Sequence, residues 1–108
     1  MKTYLVTGGA GFIGSHIVEA LLKRGDRVRI LDNFSTGDRA NVPAGAELFE
    51  ADIRDLEKIK PAFAGVDGVF HTAALARVQL SIEQPQETND VNINGTLNVC
   101  LAASAAKV

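Results

Sequence analysis

The sequence predicts an α/β fold built on a parallel sheet, and three observations predict it. Short β-rich runs alternate along the chain with helical stretches. A glycine-rich turn, Gly9-Ala10-Gly11-Phe12-Ile13-Gly14, joins the first such run to the first helical stretch. An acidic residue, Asp32, closes the second run.

The elements read in the order β-α-β-β-α-β-α. Thr3 to Val6 is a short buried strand that ends at Gly8 and Gly9. Ile13, Ile17, Val18, Leu21 and Leu22 recur at helical spacing, and Gly25 stands where a helix C-cap belongs. Arg27 to Leu31 alternates charged and apolar residues and forms the second strand. Asn33 to Gly45 is rich in Ser, Thr, Gly, Asp, Asn and Pro and reads as loop. Glu47 to Ala51 is a third, weaker strand. Asp55 caps a short helix from Leu56 to about Phe63, whose second turn Pro61 disturbs. Val66 to His71 is the fourth strand. Gln86 to Lys107 then reads as one long helix. Its first half holds Asn89, Asn92, Asn94 and Asn98, poor helix formers that tertiary contacts must support. Strands joined by helical crossovers predict a right-handed parallel sheet in the order 3-2-1-4.

Size and composition narrow the function classes. With 108 residues the chain is expected to be a single domain, 1–108. A net charge of -2 gives no electrostatic reason to expect nucleic acid or an anionic membrane as partner. No apolar run approaches the ~20 residues a membrane span needs. The N-terminus is too soon interrupted by glycine to read as a signal peptide. One cysteine, Cys100, cannot make an internal disulfide, and the expected compartment is the cytoplasm. With two histidines and one cysteine, no metal site is expected.

The glycine turn carries the chemistry. A dinucleotide pyrophosphate must come close to backbone N–H groups, and a Cβ at the turn would block it or strain a positive φ. The helix N-terminus behind the turn adds roughly half a positive charge. Strand before, helix after and acid downstream make this a Rossmann-type dinucleotide fingerprint. No Gly-Lys-Ser or Gly-Lys-Thr occurs, which disfavours a P-loop. A carboxylate at Asp32 accepts hydrogen bonds from a ribose diol and repels a 2′-phosphate, so NAD is favoured over NADP. Arg39 is near enough in sequence to soften that preference if it folds back.

Taken in order, Thr7-Gly8-Gly9-Ala10-Gly11-Phe12-Ile13-Gly14-Ser15-His16, Leu31-Asp32-Asn33-Phe34-Ser35-Thr36-Gly37, Ala51-Asp52-Ile53-Arg54-Asp55, His71-Thr72-Ala73-Ala74 and Asn92-Ile93-Asn94-Gly95-Thr96-Leu97-Asn98 span the chain. This set resembles the extended short-chain dehydrogenase/reductases, and within them the NAD-dependent sugar-nucleotide epimerases and dehydratases. The resemblance implies that Gly8, Gly11 and Gly14 are the glycine pattern, with Phe12 and Ile13 offering N–H groups to the pyrophosphate. It implies that Asp32 and Asn33 face the adenosine ribose, and that Asp52 and Ile53 contact the adenine. It implies that Ala73 and Ala74 lie towards the nicotinamide side, and that Asn92 supports the site. Ser35 and Gly37 are candidate ribose or phosphate contacts. His71 reads as a strand-end histidine in a polar contact rather than as a base.

The resemblance also implies a catalytic Tyr-x-x-x-Lys pair. The one tyrosine here, Tyr4, has Gly8 four places on. No catalytic residue is therefore assigned, and the chain is expected to be the cofactor-holding part of a longer enzyme. The expected ligand is NAD or an ADP-ribose-like nucleotide. Two other readings stay open: part of a split epimerase, and a self-associating module with vestigial cofactor binding. A homo-oligomer is expected, a dimer through an open edge at strand four or through the long final helix.

Overall fold

The computed structural model describes residues 1–108. Its strands are β1 (Thr3–Thr7), β2 (Arg27–Asp32), β3 (Glu47–Glu50) and β4 (Gly68–His71). All neighbours run parallel, in the order β3-β2-β1-β4. The sheet is thus the 3-2-1-4 arrangement that the pattern predicts. Thr7 lies beside Leu31 on one side and His71 on the other, and Asp32 lies beside Glu50. The carboxyl ends of the strands therefore line up along one margin of the sheet.

Strand alternation divides the core into two layers. Leu5 and Leu31 face one side, with Ile53, Ile59, Phe63, Val66, Val91 and Val99. Val6, Val28 and Ile30 face the other, where Val18 and Leu21 meet them. Each such side chain contributes about 1.5–3 kcal/mol by leaving water. Apolar layers on both faces are what a doubly wound sheet requires.

Helix α1 (Phe12–Lys23) buries Gly14, Val18 and Leu21, while Ile13 is 66% exposed. The inward stripe is therefore rotated by one residue from the one that Ile13 and Ile17 suggest. Gly14 causes the shift, because its bare Cα is the point where the helix touches the turn after β1. The helix ends in a left-handed Gly25, with the Gly25 N–H donating to Leu22 O and the Asp26 N–H to Leu21 O.

Asp55 caps α2 (Leu56–Ile59), and the chain tightens into a 3₁₀ turn over Lys60–Phe63 around Pro61. Beyond β4 the structure adds α3 (Val78–Glu83), an element absent from the expected order. It buries no residue, so no apolar periodicity announces it. The long final helix is also divided. It comprises α4 (Pro85–Asn89), a π-helical stretch over Asp90–Gly95, and α5 (Thr96–Ala105). A Cβ on Gly95 would come within 2.6 Å of Ile53 Cδ1, so the widened turn lies directly on Ile53. The asparagines find partners: Asn98 Nδ2 donates to Ile53 O at 2.9 Å, and Asn94 Nδ2 donates to Asp90 Oδ1 at 2.8 Å. Strand limits differ from the expected ones by one or two residues, as ends generally do. No helix is long and apolar enough to cross a membrane.

Candidate cofactor-binding site

The site is assembled where β1 and β2 leave the sheet. Gly8 has φ +70, donates to Leu31 O at 2.7 Å and accepts from the Gly11 N–H at 3.0 Å. A Cβ there would lie 2.8 Å from the Ala73 nitrogen, and one on Gly14 would collide with the Gly8 carbonyl oxygen. The two glycines thus bring turn, helix and β4 exit together. Gly11 caps α1 without a side-chain acceptor. The first-turn N–H groups of Phe12, Ile13 and Gly14 have no hydrogen-bond partner within the chain. The Phe12 and Ile13 side chains point away into solvent, 80% and 66% exposed.

Asp32 stands opposite that turn and is nearly buried. Its Oδ2 accepts the Ala10 N–H at 3.0 Å and its Oδ1 accepts the Phe34 N–H at 2.8 Å. Each oxygen keeps further acceptor capacity, enough for a pair of hydroxyls. Gly37 presses on this carboxylate, since a Cβ there would approach Asp32 Oδ2 to 3.0 Å. Asn33 Oδ1 accepts the Ser35 N–H at 3.1 Å, and Phe34 between them is left-handed at φ +59.

Asp52 faces the same cleft but is more engaged than the expected adenine acceptor. Its Oδ2 accepts from Arg54 Nη2 at 2.6 Å and from Asn33 Nδ2 at 3.1 Å. Its Oδ1 accepts the Arg54 N–H at 2.9 Å. The Arg54 hydrogen bonds hold the Asp52 carboxyl below the usual range, against the opposing effect of partial burial. Ile53 contributes to the cleft floor while its side chain belongs to the core.

The far wall is Thr72 to Leu75. Asn92 grips it twice: its Nδ2 donates to Leu75 O at 2.8 Å, and its Oδ1 accepts the Leu75 N–H at 2.8 Å. Behind the wall, Thr7 Oγ1 accepts the N–H groups of Thr72 and Ala73 at 3.1 and 3.2 Å. Its own proton then goes to His71 Nδ1, 2.6 Å away. That leaves the His71 proton on Nε2, which donates to Thr96 Oγ1 at 2.9 Å. The Thr96 hydroxyl donates in turn to Asn92 O at 2.7 Å. Burial lowers the His71 pKa, in keeping with this neutral tautomer.

These walls line one open cleft at the carboxyl ends of the strands. Of the candidate residues, Gly8, Gly11, Asp32, Asn33, Ser35, Asp52, Ile53, Ala73 and Ala74 line it. Phe12 and Ile13 do not line it; their N–H groups begin α1 directly after Gly11, which does. Gly14, Gly37 and Asn92 stand behind it as spacers and supports. Arg54, Thr72, Leu75 and Glu87 also line it without having been singled out from sequence. Arg54 carried a local signal, an opposite charge two residues from Asp52. The donor set fits a dinucleotide: unpaired amides for a diphosphate, a carboxylate with spare lone pairs for a diol, and bare glycines where a Cβ would intrude.

Residues 4–108 match the model of the NAD dependent epimerase/dehydratase family. The chain belongs to that family. Among other members, it is 44% identical over 108 residues to the UDP-glucose 4-epimerase of Streptomyces lividans, covering 97% of this chain and 33% of that one. In structure it resembles the Thermus thermophilus UDP-glucose 4-epimerase in complex with NAD, with a TM-score of 0.93 and 48% identity over 98% of this chain and 35% of that one. The Thermotoga maritima UDP-glucose 4-epimerase with UDP-glucose superposes with a TM-score of 0.95 at 38% identity, over 98% of this chain and 35% of that one. The chain thus spans about a third of the length of these family members.

Proposed function

We propose that this chain binds NAD(H) in the cleft between the first helix and the strand ends, as the cofactor-holding part of a nucleotide-sugar epimerase or dehydratase. One observation carries the reading. Three unpaired amides, of Phe12, Ile13 and Gly14, stand at a positive helix end opposite the buried Asp32 carboxylate.

In this reading the Phe12 and Ile13 N–H groups hold the pyrophosphate and Asp32 accepts the adenosine ribose diol. Asn33 orients Asp52 at the adenine end. Ala73 and Ala74 give a smooth wall towards the nicotinamide, held in place by Asn92. NAD, when bound, supplies a hydride acceptor at the nicotinamide ring. Proton transfer to the sugar is assigned to residues outside these 108. Tyr4, the one tyrosine, lies near the opposite end of β1 and packs at a tilt against Phe70. The identities to UDP-glucose 4-epimerases support a UDP-hexose as the sugar substrate of the whole enzyme.

A dimer is proposed through the final helix, where Ile93 of the π-helical stretch and Leu97 and Leu101 of α5 are exposed apolar side chains at four-residue spacing. The cytoplasm remains the proposed compartment, with Cys100 a free thiol.

Calorimetric titration tests the cofactor reading. NAD is expected to bind, and ADP-ribose nearly as well, because the named contacts gather at the adenosine and pyrophosphate. Asp32→Ala and Gly11→Val are each expected to weaken binding about tenfold or more. Full-strength binding by both variants would refute the assigned site.

A further inference from the structure

An ion pair, Arg39–Glu50, lies at the sheet margin that carries Asp32. Glu50 is the ladder partner of Asp32, one strand away at the same margin of the sheet. Arg39 Nη2 lies 2.6 Å from Glu50 Oε1. Its guanidinium also stacks 4.2 Å over the ring of Phe34, two residues beyond Asp32. The segment bearing Arg39 is fixed against the phosphate turn. The Asp38 N–H donates to Ala10 O at 3.1 Å, and Asn41 Nδ2 donates to the same oxygen at 2.8 Å. Asp38 also accepts the Ala40 N–H at 2.9 Å. A cation is therefore held beside the diol-binding carboxylate, and its charge is balanced by Glu50.

From this we infer that Glu50 is a specificity-determining residue: it holds Arg39 in an ion pair and so keeps the site selective for a dinucleotide with a free 2′-hydroxyl. The inference rests on the cofactor reading above. Asp32 alone does not secure that selectivity, because an unpaired guanidinium stacked on Phe34, two residues from Asp32, would attract a 2′-phosphate and offset the repulsion. Glu50 removes this attraction by occupying the guanidinium and by adding a second negative charge at the same margin. Both partners are more than half exposed, so substitution there leaves the core intact. Neither residue lines the cleft, so NAD itself loses no contact.

The test compares NAD with NADP, which differ only in the 2′-phosphate, by calorimetry on the parent chain, on Glu50→Gln and on the Arg39→Gln/Glu50→Gln double variant. The parent is expected to bind NAD more tightly than NADP. Glu50→Gln is expected to tighten NADP about five- to tenfold while NAD changes less than about twofold, and the gain is expected to shrink at high salt. The double variant is expected to lose the gain. An unchanged NADP-to-NAD ratio in Glu50→Gln, or a gain that survives removal of Arg39, overturns the inference while leaving the cofactor reading intact. Failure of the parent to bind NAD overturns the cofactor reading, and the inference with it.

Discussion

Asp32 Oδ2 accepts the backbone N–H of Ala10 at 3.0 Å, a bond that joins the end of the second strand to the turn before the first helix. The carboxylate thus shapes the glycine turn as well as facing the proposed ribose position. Asp32→Asn replaces one acceptor oxygen with a donor, so one of the amides of Ala10 and Phe34 loses its partner. We expect urea unfolding to show a loss of about 1–3 kcal/mol, together with weaker NAD binding. A variant as stable as the parent would show that the bond to Ala10 carries no structural load.

The His71 network predicts a pH limb. Burial lowers the folded-state pKa of His71, so between that value and about 6.5 the unfolded chain binds more protons than the folded one. The stability from the neutral ring is complete above about pH 6.5 and is lost as pH falls towards the lowered value. Nitrogen NMR should find the proton on Nε2 at pH 7. Chemical denaturation should show stability falling with acidification below about pH 6.5, and His71→Gln should flatten that limb. A proton on Nδ1 would contradict the assigned order of donors.

The carboxyl of Asp52 titrates in a separate window. Arg54 holds its pKa below the usual 3.8, so the contribution is present above that value and is lost as pH falls below it. Carbon NMR of Arg54→Ala should find the Asp52 pKa moved upwards. An unmoved value would mean that Arg54 does not govern this carboxylate.

Two substitutions probe the supports. Gly14→Ala places a methyl against the Gly8 carbonyl, and we expect about 1–3 kcal/mol of destabilisation in a thermal or urea melt. Asn92→Ala leaves the Leu75 N–H and C=O without their side-chain partners, with about 1–3 kcal/mol lost and faster hydrogen exchange at Leu75. Unaltered exchange at Leu75 would show that the wall is held by something else.

The fold and the glycine turn facing Asp32 were legible because their signals are local. Gly8, Gly14 and Asp32 stand at strand and helix ends, where spacing alone places them. The inward face of α1 was less legible, since Ile13 is apolar yet Gly14 makes the contact that sets the rotation. Helix α3 was not legible, because a six-residue exposed helix has no buried stripe to read. The π-helical stretch depends on Gly95 meeting Ile53 across more than forty residues, a contact with no trace in local composition. Thr7 escaped for a related reason: its partners, Thr72 and Ala73, lie more than sixty residues away.

The most direct test of the cofactor site is amide chemical-shift mapping during NAD titration. The account predicts saturable shifts at Gly11 to Gly14, Asn33, Asp52, Ala73 and Ala74, with little change at α3 or at the start of β1. Shifts confined to other surfaces, or no shifts at millimolar NAD, would contradict it.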